Sequence, residues 1–277
     1  MIAEFIYCYL LRPWPLRQIT NGIIRLILPR TVQYGDAVIV INPRDPVVSG
    51  ALFFRVYERT ELAFFQSACC SGMNFLDVGA NVGFYTALAA RRIGSTGKIV
   101  ALEPDPESHG FLKQTVAANE AVNVVCLTTA AAASRGRFKL YISPENRGDN
   151  RLYQPDPSWP SVEVETAPAD DLLAGLGIEQ LDLIKIDVQG AEGGVIDGLE
   201  KTIRRSPKLT LLAEFWPHGL RQAGTDPKAL LEKLRSFGLD LFEIKSLGQL
   251  VPLTDDENLI ARFQGRRYTN IVGRKQS

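Results

Sequence analysis

The chain is 277 residues long, enough for one large α/β domain with an attached cap and too long to need metal or disulfide staples for its core. Lysine plus arginine equals aspartate plus glutamate at 31 each, so, a local basic patch aside, no net field draws the protein to nucleic acid or to an anionic membrane, and a small ligand is expected. Four cysteines, Cys8, Cys69, Cys70 and Cys126, show no paired metal spacing, and vicinal Cys69 and Cys70 are poorly placed to bridge each other, which points to a reducing, cytoplasmic setting.

Met1–Leu11 is an apolar run that Arg12, Pro13 and Pro15 end too early to span a bilayer. It reads as a helix packed on the domain. Because Arg12, Arg17, Arg25 and Arg30 punctuate apolar residues, a peripheral membrane helix within residues 1–30 is the alternative. Val38–Ile41 reads as a strand, Asn42, Pro43 and Pro46 as turns, and Glu58–Ala68 as a helix, so residues 1–70 form a cap of helices and a strand. From Asn74 the pattern changes to short apolar runs, several of them ending at an acid and followed by a helical segment. That βαβ rhythm makes 71–277 a doubly covered, mostly parallel sheet of Rossmann-like type. Its strands are Asn74–Val78, Lys98–Leu102, Val122–Leu127, Leu181–Ile186, Leu209–Ala213, Leu239–Ile244 and Tyr268–Val272. Asp105 before Pro106 and Asp226 before Pro227 are helix starts, the second with Leu230, Leu231, Leu234 and Phe237 as its buried stripe and Gly238 as its stop. Between Ser143 and Pro160 four prolines, Asn146, Gly148, Asp149 and Asn150 mark a long loop. It tips a hairpin of Phe138–Ile142 and Val162–Thr166 and reads as a lid.

The segment Asp77-Val78-Gly79-Ala80-Asn81-Val82-Gly83 joins the first strand of this sheet to a helix over Phe84–Ile93, the corner where open parallel sheets bind ligands. Gly79 lets backbone approach a ligand, Gly83 lets the helix start close to the sheet, and Asp77 stands at the mouth, able to accept a hydrogen bond from an ammonium. Without a ligand, Asp77 and Asn81 are helix caps. A dinucleotide needs bare glycines for its pyrophosphate, and an acid there repels it. A zwitterion with an ammonium and a sulfonium, such as S-adenosylmethionine, welcomes that acid. Glu103 ends the second strand, where a carboxylate can accept from both hydroxyls of a ribose. Ala130, Ala131 and Ala132, after the third strand, supply small walls for an adenine.

Phe75 through Thr86, then Leu102-Glu103-Pro104, then Lys185-Ile186-Asp187-Val188-Gln189-Gly190-Ala191-Glu192, resemble the FkbM-type family of S-adenosylmethionine-dependent methyltransferases. The resemblance runs from about Tyr57-Glu58 to Asn270. It implies S-adenosylmethionine as cofactor, O-methylation of hydroxyls on small molecules, sugars or glycoconjugates, and a seven-stranded sheet whose last strand runs antiparallel. This chain departs from the family at Gln189, where members commonly carry an acid.

On the acceptor side, Asp187 closes the fourth strand and Glu214 the fifth. Deprotonating a hydroxyl requires a base, and His218 has the unperturbed pKa nearest neutrality, with Asp187 and Glu214 as positioners or substitutes. His109 reads as a surface residue. Lys185 interrupts a buried strand and must be paired there, either with Asp187 or Glu192 or with the acceptor. No metal site is expected. Tyr153 and Trp159 in the lid either face the acceptor or peg the loop, and Arg147 and Arg151 meet an acidic acceptor or solvent. N-methyl transfer, a nicotinamide-dependent oxidoreductase and a non-catalytic cofactor-binding module are the alternatives.

Overall fold

The computed structural model describes residues 16–144 and 146–275, with side chains from residue 20 onward. The apolar run Met1–Leu11, Cys8 and the prolines that follow lie outside the described residues. The described chain opens on helix α1 (Leu16–Ile27) and a hairpin of β1 (Thr31–Tyr34) and β2 (Ala37–Val40). The β2 edge is not left bare. Val38 N–H donates to Asn119 Oδ1 at 2.9 Å, Asn119 Nδ2 donates back to Val38 O at 2.6 Å, and Val40 N–H donates to Thr115 Oγ1 at 3.0 Å. Next come α2 (Pro46–Phe53) and α3 (Arg59–Ala68). Asp45 caps α2 by accepting from Val47 and Val48 N–H, with Pro46 in the first turn.

The βαβ rhythm then appears as β3 (Asn74–Val78), α4 (Phe84–Ile93), β4 (Lys98–Leu102), α5 (Pro106–Ala118) and β5 (Val124–Leu127). A three-stranded side sheet follows, in which β6 (Ala130–Ala131) runs parallel to β8 (Ser161–Ala167), and β7 (Gly136–Tyr141) pairs with β8 antiparallel as the expected hairpin. The main sheet resumes after α6 (Ala169–Gly175) with β9 (Leu183–Ile186), α7 (Glu192–Asp197), α8 (Glu200–Arg205) and β10 (Thr210–Phe215). It ends through α9 (Pro217–Gln222), α10 (Pro227–Ser236), β11 (Asp240–Ile244), β12 (Leu250–Pro252), α11 (Asp256–Arg262) and β13 (Thr269–Arg274).

Strand order in the main sheet is β12-β11-β13-β10-β9-β3-β4-β5. The five strands from β10 to β5 are parallel, and β13 inserts antiparallel between β10 and β11. The seven strands read from the sequence are all present, and β12 adds an eighth by pairing with β11. Three residues ending in Pro252 are too few to carry a periodic signal, and proline suits them to an edge. Strand bounds also shift. Val122 and Tyr268 fall outside the ladders, while β10 runs on to Phe215, so that Glu214 lies inside a strand opposite Asn270 rather than closing it.

Order reverses between β3 and β9: the chain moves from β3 outward to β5, then returns to build β9 and β10 on the other side. One face of the sheet, with Leu76, Val78, Ile184 and Leu211, packs against Leu173, Leu199, Leu231 and their neighbours. The opposite face, with Phe75, Ile99 and Leu183, shares a core with α4 and with Val32, Ile39, Val48, Leu52 and Phe65. The segment before residue 70 therefore completes this face of the sheet. Asn119 is the joint between hairpin and α5, and it is buried. Asn119→Ala leaves a backbone donor and acceptor of Val38 without partners and is expected to cost about 2–3 kcal/mol, read as a lowered midpoint in thermal unfolding; an unchanged midpoint would refute the joint.

Candidate active site

A cleft of about 670 Å³, open to solvent, lies at the carboxyl ends of β3 and β9, where strand order reverses. Val78, Gly79 and Asn81 form one wall, Glu103 and Pro104 the next, Thr129, Ala130 and Ala131 a third, and Asp187, Val188 and Gln189 the far side. Gly79 is at φ +80°, and a Cβ there would stand 1.9 Å from the Asp187 carbonyl oxygen. The two strand-end loops thus touch through a position that only glycine fills. Gly83, at φ +85°, precedes α4, but the atom it clears is Leu112 Cδ1 of α5, 2.8 Å from where a Cβ would be. Its missing side chain seats helix on helix, where the sequence suggested helix on sheet.

Asp77 differs from its expected place at the mouth. It is wholly buried, Thr86 Oγ1 donates to its Oδ2 at 2.6 Å, and it stands in register with Lys185 on the neighbouring strand. Burial raises its pKa, and the Lys185 charge opposes that rise. Its Oδ1 has no partner, and neither has Oδ1 of Asn81. Asn81 takes a positive φ of 50°, and its N–H donates to Glu103 Oε2 at 2.8 Å. Glu103 also accepts from Asp105 N–H at 2.8 Å; burial pushes its pKa up to about 8, against the pull of these two donors.

The cleft wall therefore carries the carboxylates of Glu103 and Asp187 and the unpartnered Asn81 oxygen. Arg147, the one cation among the described residues lining it, is committed elsewhere, with Nη1 2.6 Å from Asp105 Oδ2 and Nη2 2.7 Å from Glu107 Oε2. A pyrophosphate would find acids and no free positive charge. A ligand carrying an ammonium, two ribose hydroxyls and an adenine amine brings the missing donors, so S-adenosylmethionine fits these residues.

Beside Asp77 the sheet gathers further charge. Lys185 is buried with its Nζ 3.4 Å from Asp187 Oδ2 and 4.8 Å from the centre of the Tyr85 ring. Burial opposes its charge, but Asp187, Asp77 and Glu58 outweigh that and hold its pKa above the ordinary lysine value. Gln189, at φ +54°, donates through Nε2 to Asp187 Oδ1 at 2.9 Å and to Glu214 Oε1 at 3.2 Å. An acid here would place a third carboxylate against two others, whereas the amide ties them together. Glu214 is buried with Oε2 unpartnered; burial first, then Asp187, Glu192 and Glu58, push its pKa well up. Glu192 accepts from the N–H groups of Val188 and Gly190, pinning the loop.

His218 is not brought into this group. It is exposed at the start of α9 and does not line the cleft. Gly219, next to it, packs its backbone within 2.6 Å of where a Gly190 Cβ would be, so α9 meets the loop through glycine while the histidine faces outward. His109 is half-buried and contacts Thr128 Oγ1 at 2.8 Å. Tyr153 and Trp159 are pegs. Both rings flank the Arg151 guanidinium, at 5.6 and 5.5 Å, with Trp216 at 4.6 Å, and Arg151 also pairs with Asp149 at 2.6 Å. Arg147, Gly148, Asn150 and Leu152 of the lid line the cleft, and both lid arginines are ion-paired and mostly buried.

Three members escaped the sequence reading: Glu58, which accepts from Tyr85 Oη at 2.6 Å, Thr86 beneath Asp77, and Tyr57 on the cleft wall. Tyr57-Glu58 and Tyr85-Thr86 lie within the stretch that resembles the family, which was the available signal. Among the described residues no three His, Cys, Asp or Glu side chains converge to hold a metal ion.

Raised carboxylate pKa values make stability depend on pH. Glu103 moves from 4.5 to about 8, and Glu58 and Glu192 from 4.5 to about 7, so the unfolded chain releases these protons first. Their contribution is complete below about pH 4.5 and is lost as pH rises toward 8. The ligand-free protein is expected to melt higher near pH 5.5 than at pH 8. Glu103→Gln should flatten that slope, and a midpoint that rises over the interval refutes the assignment.

Residues 77–241 match the family model described as the methyltransferase FkbM domain. Methyltransferase sdnD of Sordaria araneosa is 27% identical over 176 residues, covering 53% of this chain and 68% of that protein. The 2-O-methyltransferase NoeI of Sinorhizobium fredii is 26% identical over 180 residues, covering 59% of this chain and 72% of that protein. Among solved structures, methyltransferase FkbM from Methylobacillus flagellatus superposes with a TM-score of 0.47 at 13% identity, over 93% of this chain and 59% of that one. SMU.1697c from Streptococcus mutans, in complex with SAH, gives 0.46 at 10% identity over 79% and 98%.

Proposed function

The chain belongs to the FkbM family of S-adenosylmethionine-dependent methyltransferases, and from that premise we propose that it methylates a hydroxyl oxygen on a small acceptor, a sugar or glycoconjugate. Bound at the cleft, the cofactor supplies an electrophilic methyl group on a sulfonium. The residues provide the rest. Asn81 and Glu103 would hold the amino-acid and ribose ends, the unpartnered Oδ1 of buried Asp77 offers a further acceptor, and Ala130 and Ala131 leave room for a flat base.

The observation that carries the reading is Asp187. It is the carboxylate on the far wall of the cleft, paired with Lys185 and hydrogen-bonded by Gln189, with its side chain 19% exposed. A carboxylate so held can take the proton of an acceptor hydroxyl as the new bond to carbon forms, and alignment supplies much of the rate. Glu214, whose pKa burial raises, accepts from Gln189 and keeps it in place from behind. Lys185 fixes the orientation of Asp187 from the buried side. His218, exposed and outside the cleft, is left as a dispensable residue. Oxygen as the acceptor atom is supported by the 2-O-methyltransferase among the relatives. The free thiols of Cys69 and Cys70 fit a cytoplasmic setting.

Transfer of labelled methyl from the cofactor into a panel of sugars and glycosides, run beside a matched panel of amines, tests the reaction. Asp187→Asn is expected to lower kcat by about 10²–10⁴-fold while calorimetry shows cofactor affinity within a few-fold of wild type, and His218→Ala should leave both unchanged. Transfer to amines alone would remove the O-methyl reading, and an active Asp187→Asn would remove the base.

A further inference from the structure

Helix α1 carries two apolar stripes and spends only one of them. Ile24 and Thr20 are buried toward α2, and Leu28, just beyond the helix, packs against the core that the cap shares with the sheet. On the other side Ile23, Leu26 and Ile27 are 54%, 87% and 51% exposed. Their spacing of three and then one residue places them on one face over a single turn. Other exposed apolar side chains, such as Phe138, Leu247 and Tyr268, lie on separate elements. A stripe is a different matter from scattered residues, because isolated apolar groups on a surface need no occupant and a contiguous patch does.

The charge around the stripe identifies the occupant. Residues 1–35 contain Arg12, Arg17, Arg25 and Arg30 against a single acid, Glu4, although over the whole chain basic and acidic residues balance at 31 each. Arg25 and Arg30 are exposed beside the stripe, and Arg44 is 80% exposed across a groove from Arg25. The sequence immediately before α1 is itself apolar, with Ile2, Phe5, Ile6, Leu10, Leu11 and Trp14. Among the described residues no helix is long and apolar enough to cross a membrane. An apolar face flanked by arginines, on a helix too short to span, suits the boundary between headgroups and acyl chains of an anionic bilayer. A protein partner would be served equally well by the apolar stripe but gives no account of four arginines to one acid.

We propose that α1 is a docking surface for an anionic lipid bilayer, with Ile23, Leu26 and Ile27 entering the interface and Arg25 and Arg30 meeting headgroup phosphates. The groove between Arg25 and Arg44 continues to Ser143 and Pro160 at the two roots of the lid, so the docked face adjoins the cover of the cleft. This inference stands apart from the identity of the methyl acceptor.

Co-sedimentation of the full chain with vesicles of phosphatidylcholine, alone or mixed with phosphatidylglycerol, tests it. Binding is expected to the mixed vesicles, to weaken as salt is raised, and to be much lower on phosphatidylcholine alone. Leu26→Glu is expected to lower the bound-to-free ratio by about tenfold or more, and paired Arg25→Glu and Arg30→Glu to abolish the preference for charged vesicles. Because Leu26 is 87% exposed, its variant should keep the wild-type melting midpoint and cofactor affinity. The proposal falls if the wild-type chain stays in the supernatant, if Leu26→Glu binds as wild type does, or if binding ignores lipid charge. It also falls if the stripe joins copies of the chain, seen as an oligomer that Leu26→Glu disperses without any vesicle binding.

Discussion

One buried ammonium organises the carboxyl ends of the central strands. Lys185 sits in β9 between β3 and β10, and the acids facing it come from three separate parts of the chain: Glu58 before α3, Asp77 in β3 and Asp187 after β9. Each of these ions alone in an apolar interior would cost several kcal/mol. Brought together they offset one another, and the Tyr85 ring supplies a further face for the cation. The pairing also sets a limit, since one lysine cannot neutralise every acid nearby. Burial, with the neighbouring acids added to it, raises the pKa values of Glu58 and Glu214, while the acids around Lys185 hold its own above the ordinary lysine value.

The same excess explains the selectivity of the cleft for its cofactor. Among the described residues, four buried oxygens, on Asp77, Asn81, Glu192 and Glu214, have no hydrogen-bond partner, and each such group costs stability until a donor arrives. Asp77 Oδ1 is buried within β3, Asn81 Oδ1 lies on the loop after it at the cleft wall, and Glu214 lies behind Gln189 on the acceptor side. A ligand bearing an ammonium and hydroxyls relieves the first two, and binding energy gained there can be used to hold the reacting groups in line. The arrangement rejects phosphate more firmly than the sequence argument required, because the nearest arginine is already doubly paired.

Much of this was legible because it is local. The Asp-Pro helix starts are where the sequence put them, with Asp105 accepting from Glu107 and Ser108 N–H and Asp226 from Ala229 N–H. The strand ends bearing Asp77, Glu103 and Asp187, the small wall at Ala131 and the hairpin under the lid follow from short-range pattern in the same way. What escaped depends on register between strands distant in sequence. Asp77 and Lys185 are neighbours only because β3 and β9 pair with that offset, and no periodicity in either strand encodes it. Glu214 looked like a strand end because the apolar run stops before it, yet β13 extends the ladder past it to Phe215. His218 had the right chemistry, and only the packing of Gly219 on Gly190 decides that it faces solvent.

The lid shows how two arginines of similar appearance come to do different work. Arg151 is enclosed by Tyr153, Trp159 and Trp216 and neutralised by Asp149, so it both shapes the loop and ties it to the end of β10. Arg147 reaches outward to Asp105 and Glu107 at the start of α5, while its backbone N–H donates to Asp45, the cap of α2. One residue thus joins lid, cap and the segment that follows Glu103. Its charged contacts are only partly buried, with 21% of the side chain exposed, and water can replace them at far less cost than it could replace a buried apolar seam. The Arg151 cluster is a second and drier tie, because Trp216, between β10 and α9, is the nearest of its three rings and fastens the loop to the main sheet.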